Sequence, residues 1–400
     1  MRQCTYKDTI HACYLGYFVT ATVNNFPPLL YVIFNEELGI SLNLISFLIT
    51  INFTLQFFVD FLGSKIINKI GYRKSIVIGN FSVAFGLVLM SVLPQYIGYI
   101  GLVIAISFCG IGGGTLEVLV SPIVQAAPDG MEKTTAMSLL HSFYCWGAML
   151  VIMGTTLLFR LIGMGNWYFL PLIWTIIPFW NCFAFSFVPI TQLEEMGKGI
   201  KLRKLFAMKS FWLLAGLMVC AGACELSVGQ WASFYSERAL GISKTYGDLL
   251  GPCLFAFFMG ILRLAYGMGR IRILLKKVMT FSAIGFAFCL LIVVFAPVPI
   301  LQLIACAFCG AMVGLFWPGT FSMSAEVCPC GGTVLFAMLA FFGDIGCAAG
   351  PAIVSFVATK TGVFEKGLSA ILLFPVLILI ILHYLKRLEE SEKKIVGTIR

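Results

Sequence analysis

Glu117, His141, Glu225, Arg263 and Asp344 each stand inside a long apolar stretch of the chain. Charge is unfavourable in such surroundings unless the group faces a cavity or a partner, so these rare side chains mark the first places to look for chemistry. A carboxyl held there can exchange a proton during a working cycle. Glu117 follows the run Cys109-Gly-Ile-Gly-Gly-Gly-Thr-Leu and precedes Val-Leu-Val-Ser-Pro122. Its glycines let a neighbouring backbone come close. They are no dinucleotide fingerprint, because neither a preceding strand nor a βαβ unit accompanies them. His141, in Leu-Leu-His-Ser-Phe-Tyr144-Cys-Trp146-Gly, lies at a depth similar to that of Glu117 on the next apolar segment, so a Glu–His pair is possible. A carboxyl satisfied by a nearby hydroxyl, and a histidine bonded to helix backbone, are the plainer readings.

Glu225 shares a helix face with Gly222, Gly229 and Ala232, a stripe that leaves room for a ligand or for a close helix contact. Gln230 and Trp231 add an amide and a broad apolar plane. Amides and carboxylates suit the hydroxyls of a sugar, and aromatic faces suit its C–H surfaces. Asn24 and Asn25 bring further amides just before Pro27-Pro28, which break a helix. Trp317 opens Trp-Pro-Gly-Thr320, and Tyr144 and Trp146 read either as site aromatics or as packing. Arg263 balances a carboxylate or caps carbonyls. Asp344 divides between gating and structure, Asp60 sits nearer the end of its segment, and Glu326 reads as a loop charge.

The elements that must position these groups follow from composition. Of 400 residues, 60% are apolar and 11% charged, against about 25% charged in soluble domains. This pattern excludes a soluble globular protein and a disordered one. A hydrocarbon core of about 30 Å takes roughly 20 helical residues to cross. Runs of that kind fall at 8–34, 43–63, 75–93, 97–126, 135–160 and 167–188, then at 211–237, 248–269, 276–295, 299–323, 332–358 and 366–386. The fold expected is an all-α membrane protein of twelve transmembrane helices in two pseudo-symmetric six-helix bundles. Residues 1–190 form the first bundle, 191–210 a cytoplasmic linker, and 211–400 the second bundle with a tail.

Lys65, Lys69, Arg73 and Lys74, the linker cluster Lys198 to Lys209, Arg270 to Lys277, and Lys386 to Lys394 all fall on one side of such a layout. The opposite side has only Arg160, Arg238, Lys244, Lys360 and Lys366. The excess marks the cytoplasmic side, which also holds both termini. The net charge of +9 is thus a topology signal, and no nucleic-acid partner is needed to explain it. Most of the 14 cysteines lie in apolar runs as small hydrophobes. Cys328-x-Cys330 lacks the second ligand pair of a zinc site. No metal and no cofactor is expected, and Arg2 and Lys7 precede an apolar segment too long for a cleavable signal.

The halves also repeat. Phe108, Cys109, Gly110 and Gly114 recur as Phe308, Cys309, Gly310 and Gly314, each displaced by 200 residues. Repeated sets of spans with a site at their interface characterise secondary transporters.

The twelve spans, the central basic linker and Ser64-Lys-Ile-Ile-Asn-Lys69-Ile-Gly-Tyr-Arg73-Lys together resemble the major facilitator superfamily, with Asn68 where that pattern has an acid and Ser64 where it has a glycine. Asn24-Asn25, the Gly-x-Gly-x-x-x-Glu117-x-x-x-Ser-Pro122 run and His141-Ser-Phe-Tyr-Cys-Trp-Gly are similar to the fucose–proton symporter family of bacterial sugar carriers. The resemblance implies proton coupling at Glu117 and gating at Lys69 and Arg73. Pro28 stands where that family has an aspartate, for which Glu225 is the candidate substitute.

The reading that results is a non-enzymatic, proton-coupled symporter of a monosaccharide or similar polyhydroxylated solute, monomeric, in a bacterial inner membrane. Glu117, His141 and Glu225 handle the proton. Asn24, Asn25, Tyr144, Trp146, Gln230, Trp231 and Trp317 line the substrate site, and Arg263 and Asp344 gate it. The alternative is a proton-driven exporter of amphipathic compounds, with Met and Phe side chains lining an adaptable pocket. A sensor or intramembrane enzyme finds no signalling domain and no nucleophile–base pair to support it.

Overall fold

A backbone surrounded by hydrocarbon must close its own hydrogen bonds, which long apolar runs do as helices. The computed structural model describes residues 4–126, 133–190, 202–268, 273–328 and 332–398, and among them every regular element is helical. Lys198, Lys201, Arg270 and Arg272 lie outside the described residues, as does much of the linker.

In chain order the helices are α1 (Tyr6–Asn25), α2 (Tyr31–Glu36), α3 (Leu42–Ile70), α4 (Tyr72–Val92), α5 (Pro94–Ala126) and α6 (Lys133–Ile162). Then come α7 (Phe169–Phe187), α8 (Leu202–Phe206), α9 (Lys209–Phe234), α10 (Lys244–Asp248) and α11 (Leu254–Gly267). The chain ends with α12 (Leu275–Phe295), α13 (Pro299–Val313), α14 (Phe316–Val327), α15 (Gly332–Thr361), α16 (Phe364–Ser369) and α17 (Leu373–Thr398).

Among the described residues, 11 stretches are long and apolar enough to cross a membrane, from Leu42–Leu62 to Phe364–Arg387. They correspond to the second through the twelfth segments expected from hydropathy, with ends displaced by a few residues. The first segment is broken where Pro27-Pro28 led us to expect a break. Instead of one helix over 8–34, α1 stops at Asn25, a 3₁₀ turn takes Pro27–Leu30, and α2 resumes at Tyr31. Two consecutive prolines remove two backbone donors, so the α ladder cannot run through them.

Three later segments are also interrupted. A π turn, Tyr235–Ala239, follows α9, and another, Leu249–Cys253 with Pro252 inside it, joins α10 to α11. Between α13 and α14 the chain passes through Gly314 and Leu315. Such breaks loosen backbone groups near functional positions more often than elsewhere.

The packing repeats along the chain. The contacts α1–α6, α3–α5, α4–α5 and α4–α7 recur as α9–α15, α11–α13, α12–α13 and α12–α17. The two most extensive contacts between early and late helices, α3–α15 and α6–α11, correspond to each other under the same shift. The repeated glycines explain part of this. A Cβ at Gly110 would lie 2.9 Å from the Asn52 carbonyl oxygen on α3, and one at Gly310 would collide with the Phe255 carbonyl on α11. Each glycine thus lets its helix touch the equivalent neighbour. Phe81, Trp180, Phe288 and Phe356 stand exposed on the perimeter, as a lipid-facing surface requires.

Candidate functional site

Arg263 on α11 gathers four elements. Its Nη2 lies 2.9 Å from Oε2 of Glu225 on α9, and its Nε donates to the Gly314 carbonyl at 2.9 Å. Its remaining terminal nitrogen reaches Sγ of Cys145 on α6 at 3.5 Å. The sequence left open whether Arg263 balances a carboxylate or caps a carbonyl; it does both, at a break between helices.

Glu117 on α5 is half-buried and, among the described residues, has no hydrogen bond and no ion pair. The charge of Glu225 bears on it. The Glu117–His141 pair that the sequence allowed is not made among the described residues. His141 packs its ring edge-on to Tyr17, centroids 5.3 Å apart, and Tyr17 shares a 3.1 Å hydrogen bond with Ser121 one turn after Glu117. Tyr17 therefore stands between α5 and α6, feeling the charges of both Glu117 and Arg263. Equal depth on neighbouring helices did not place the two side chains on facing sides.

The amides divide into two kinds. Asn24 is buried, and its Oδ1 accepts from Asn52 Nδ2 at 3.0 Å and from Gln56 Nε2 at 3.1 Å. Gln230 Nε2 donates to the Asn24 backbone carbonyl at 2.7 Å, while Gln230 Oε1 accepts from the Tyr31 hydroxyl at 2.9 Å. Both amides therefore have protein partners in this conformation. Trp231 is fully buried, donates to the Pro351 carbonyl at 3.2 Å and packs on Tyr31 and Phe364. Asn25, by contrast, is half-buried and bonds the Ala21 carbonyl and the Tyr144 hydroxyl, at 2.9 Å and 3.3 Å. Tyr144, Trp146 and Trp317 are also half-buried. A small cavity opens beside Asn24, Asn52 and Gln230.

The stripe of Gly222 serves close helix contact, since a Cβ there would collide with the Gly343 carbonyl of α15. Trp317 lays the tip of its ring over the same Gly343. Asp344 is buried where α15 meets α3, opposite Asp60. Arg73 holds the end of α7, donating to the carbonyls of Phe185, Ser186 and Val188 at 2.8–2.9 Å. Lys69 is exposed at the end of α3.

A second polar cluster escaped the sequence reading. Lys244 and Asp248, one turn apart on α10, form a buried ion pair at 3.2 Å. Ser233 donates to Asp248, and Thr156 of α6 reaches it at 3.3 Å. Lys244 had counted only as an external loop charge, although its spacing from Asp248 within an apolar run was a usable signal. Near the same end, Arg238 meets Glu36 at 2.6 Å. Ser355 and Thr359 of α15 bond the Asn43 side chain of α3 at 3.3 Å and 3.1 Å. The end of the molecule carrying Glu36 and Arg238 is thus drawn shut by contacts between early and late helices.

A family profile described as Major Facilitator Superfamily matches residues 13–351. No curated protein sequence matches the chain. Among solved structures, the E. coli fucose:proton symporter superposes with a TM-score of 0.66 at 17% identity, covering 95% of this chain and 99% of that one. The fucose symporter in an outward conformation gives a TM-score of 0.68 at 17% identity, covering 94% and 98%. A D-xylose-proton symporter gives 0.76 at 13% identity, covering 95% and 96%. At these identities the likeness is one of fold.

Proposed function

The chain belongs to the Major Facilitator Superfamily and is a transporter rather than an enzyme, and from that premise we propose that it carries a monosaccharide or similar polyhydroxylated solute together with protons. The observation that carries the proposal is Glu117. It is a half-buried carboxyl without a hydrogen bond or ion pair among the described residues, near enough to the compensated pair Glu225–Arg263 for the Glu225 charge to bear on it. A carboxyl placed so is free to take and release a proton as its access changes. Two of the structures similar in fold are a fucose:proton symporter and a D-xylose-proton symporter.

On this reading the interrupted segment Tyr6–Glu36 is the first span and brings the count to twelve. The recurring contacts then describe two six-helix bundles, residues 1–190 and 211–400, joined by a linker over 191–210. The basic side with both termini faces the cytoplasm of a bacterial cell. The closed end is external, and the conformation described is shut to the outside. Asn25, Tyr144, Trp146 and Trp317, all half-buried, contact the solute from within. Asn24, Gln230 and Trp231 hold the outer closure and become available when it parts. His141 and Tyr17 set the surroundings in which Glu117 titrates, while Lys69, Arg73, Arg263 and Asp344 belong to the parts that move or hold.

Purified protein in liposomes tests this directly. An imposed proton gradient, acid outside, should drive accumulation of a radiolabelled monosaccharide from a panel of pentoses, hexoses and deoxyhexoses. Gradient-driven efflux of an amphipathic amine, with no sugar accumulated, would replace the proposal with the exporter.

A further inference from the structure

Asp60 and Asp344 come from opposite ends of the sequence and meet where α3 crosses α15. Their carboxyls face each other at hydrogen-bonding range. Asp60 is 5% exposed and Asp344 3%. Both oxygens of Asp60 and one of Asp344 are sealed from solvent with no donor among the described residues. One turn away on each helix, Phe57 and Phe341 stack at 3.9 Å and wall the pair from one side. Two buried carboxyls so close cannot both carry charge without strong repulsion, and one proton held between them removes it.

The groups around the pair do not supply that compensation. Glu117 of α5 bears on both aspartates with the same sign of charge. Cys347 lies one turn from Asp344 on α15, and Glu225 of α9 acts on Cys347. Among the described residues no Lys, Arg or His pairs with either aspartate, whereas Glu225 has Arg263. A metal ion finds too few ligands, since among the described residues no three His, Cys, Asp or Glu side chains gather into a metal-binding group.

We infer that Asp60 and Asp344 form a proton-binding site of their own, holding one shared proton between α3 and α15. Binding protonates one carboxylate, whose O–H then donates to the other. Release leaves two facing anions and drives the inner parts of the helices apart. The contact between early and late helices on this side is therefore made or broken by a proton. The site deepens the proton-coupled reading by adding a second station beside Glu117, yet it stands on the α3–α15 contact whatever solute is carried.

Infrared difference spectra of the reconstituted protein between acid and alkaline pH read the proton itself. Wild type should show a protonated-carboxyl band at neutral pH that vanishes on alkalinisation and shifts when aspartate alone is isotopically labelled. Asp60→Asn and Asp344→Asn should each abolish or displace that same band, and Glu117→Gln should leave it in place. A band altered by only one of the two asparagine variants, or by neither, overturns the site. If an asparagine variant does not fold, the labelled wild type decides alone, because absence of any aspartate-sensitive band at neutral pH also overturns it. Transport plays no part in the measurement, so its failure and that of the symport assay are distinct results.

Discussion

Arg263 places Nη2 2.9 Å from Oε2 of Glu225, and the two side chains are 7% and 11% exposed. The pair bridges α9 and α11, with the Gly314 carbonyl and Cys145 as further partners of the guanidinium. A buried pair of this sort adds little net stability over an apolar replacement, but breaking it on one side leaves a charge without compensation. Arg263→Met should lower stability by about 3–5 kcal/mol, read as an earlier melting transition in detergent. Adding Glu225→Gln should recover much of that loss. Fully additive losses in the two single variants and the double variant would show that the two charges do not depend on each other.

The contact between Gln230 and the Asn24 backbone makes a different kind of prediction. Gln230 Nε2 and Oε1 each bond a residue of the first segment, at 2.7 Å and 2.9 Å, so one side chain ties α9 to α1 and α2. Gln230→Ala removes both bonds, each worth about 0.5–1.5 kcal/mol net, and should move the population toward a state opened at that end. Spin labels at Glu37 and Tyr246, in a background stripped of native cysteines, should report a longer distance component. An unchanged distance distribution would mean that Glu36–Arg238 and the Asn43 contacts close this end unaided.

Much of this scaffold was legible because a span is a local property. Twenty apolar residues read as a helix wherever they pack, which is why eleven of the twelve segments read from hydropathy recur as membrane-length helical stretches among the described residues. The prolines at 27 and 28 announced the break in the first. Pairing is not local. Arg263 read as balancing a carboxylate or capping carbonyls, but the carboxylate it meets lies 38 positions away, and nothing in either segment selects Glu225 over Glu117. Asp60 and Asp344, read separately as a helix-end acid and a candidate gate, acquire their meaning only when α3 and α15 cross. Tyr17 and Tyr31 gave no signal at all, since a tyrosine in an apolar run resembles packing until its hydroxyl partner is known.

The glycines separate close contact from open space, and a pair of substitutions tests the distinction. A Cβ at Gly346 would collide with the Val219 carbonyl on α9, whereas one at Gly229 meets only the Phe255 ring edge at 3.8 Å. Backbone cannot yield as a flexible side chain can, so Gly346→Ala should cost about 1–3 kcal/mol through forced separation of α9 and α15. Gly229→Ala should be neutral or stabilising, because alanine is the better helix former by roughly 0.5–1 kcal/mol. Melting temperatures of the two variants side by side settle the matter; equal losses would show that the α9–α15 approach is not the constraint.

Glu117 is where a transport assay and the structure meet most directly. Glutamine keeps the volume and hydrogen-bonding shape of the side chain but neither gains nor loses a proton. Because Glu117 has no ion pair among the described residues, Glu117→Gln breaks no salt bridge and the variant should fold with near wild-type stability. If the carboxyl couples proton and solute, accumulation driven by an imposed gradient should fall to the equilibrium level. Counterflow exchange, which needs only binding and alternating access, should persist within a few-fold of wild type. The split identifies the role: equal loss of accumulation and exchange would make Glu117 a solute-binding or structural group. Full accumulation in the variant would move proton coupling to another carboxyl, with Asp60 and Asp344 the next pair to test.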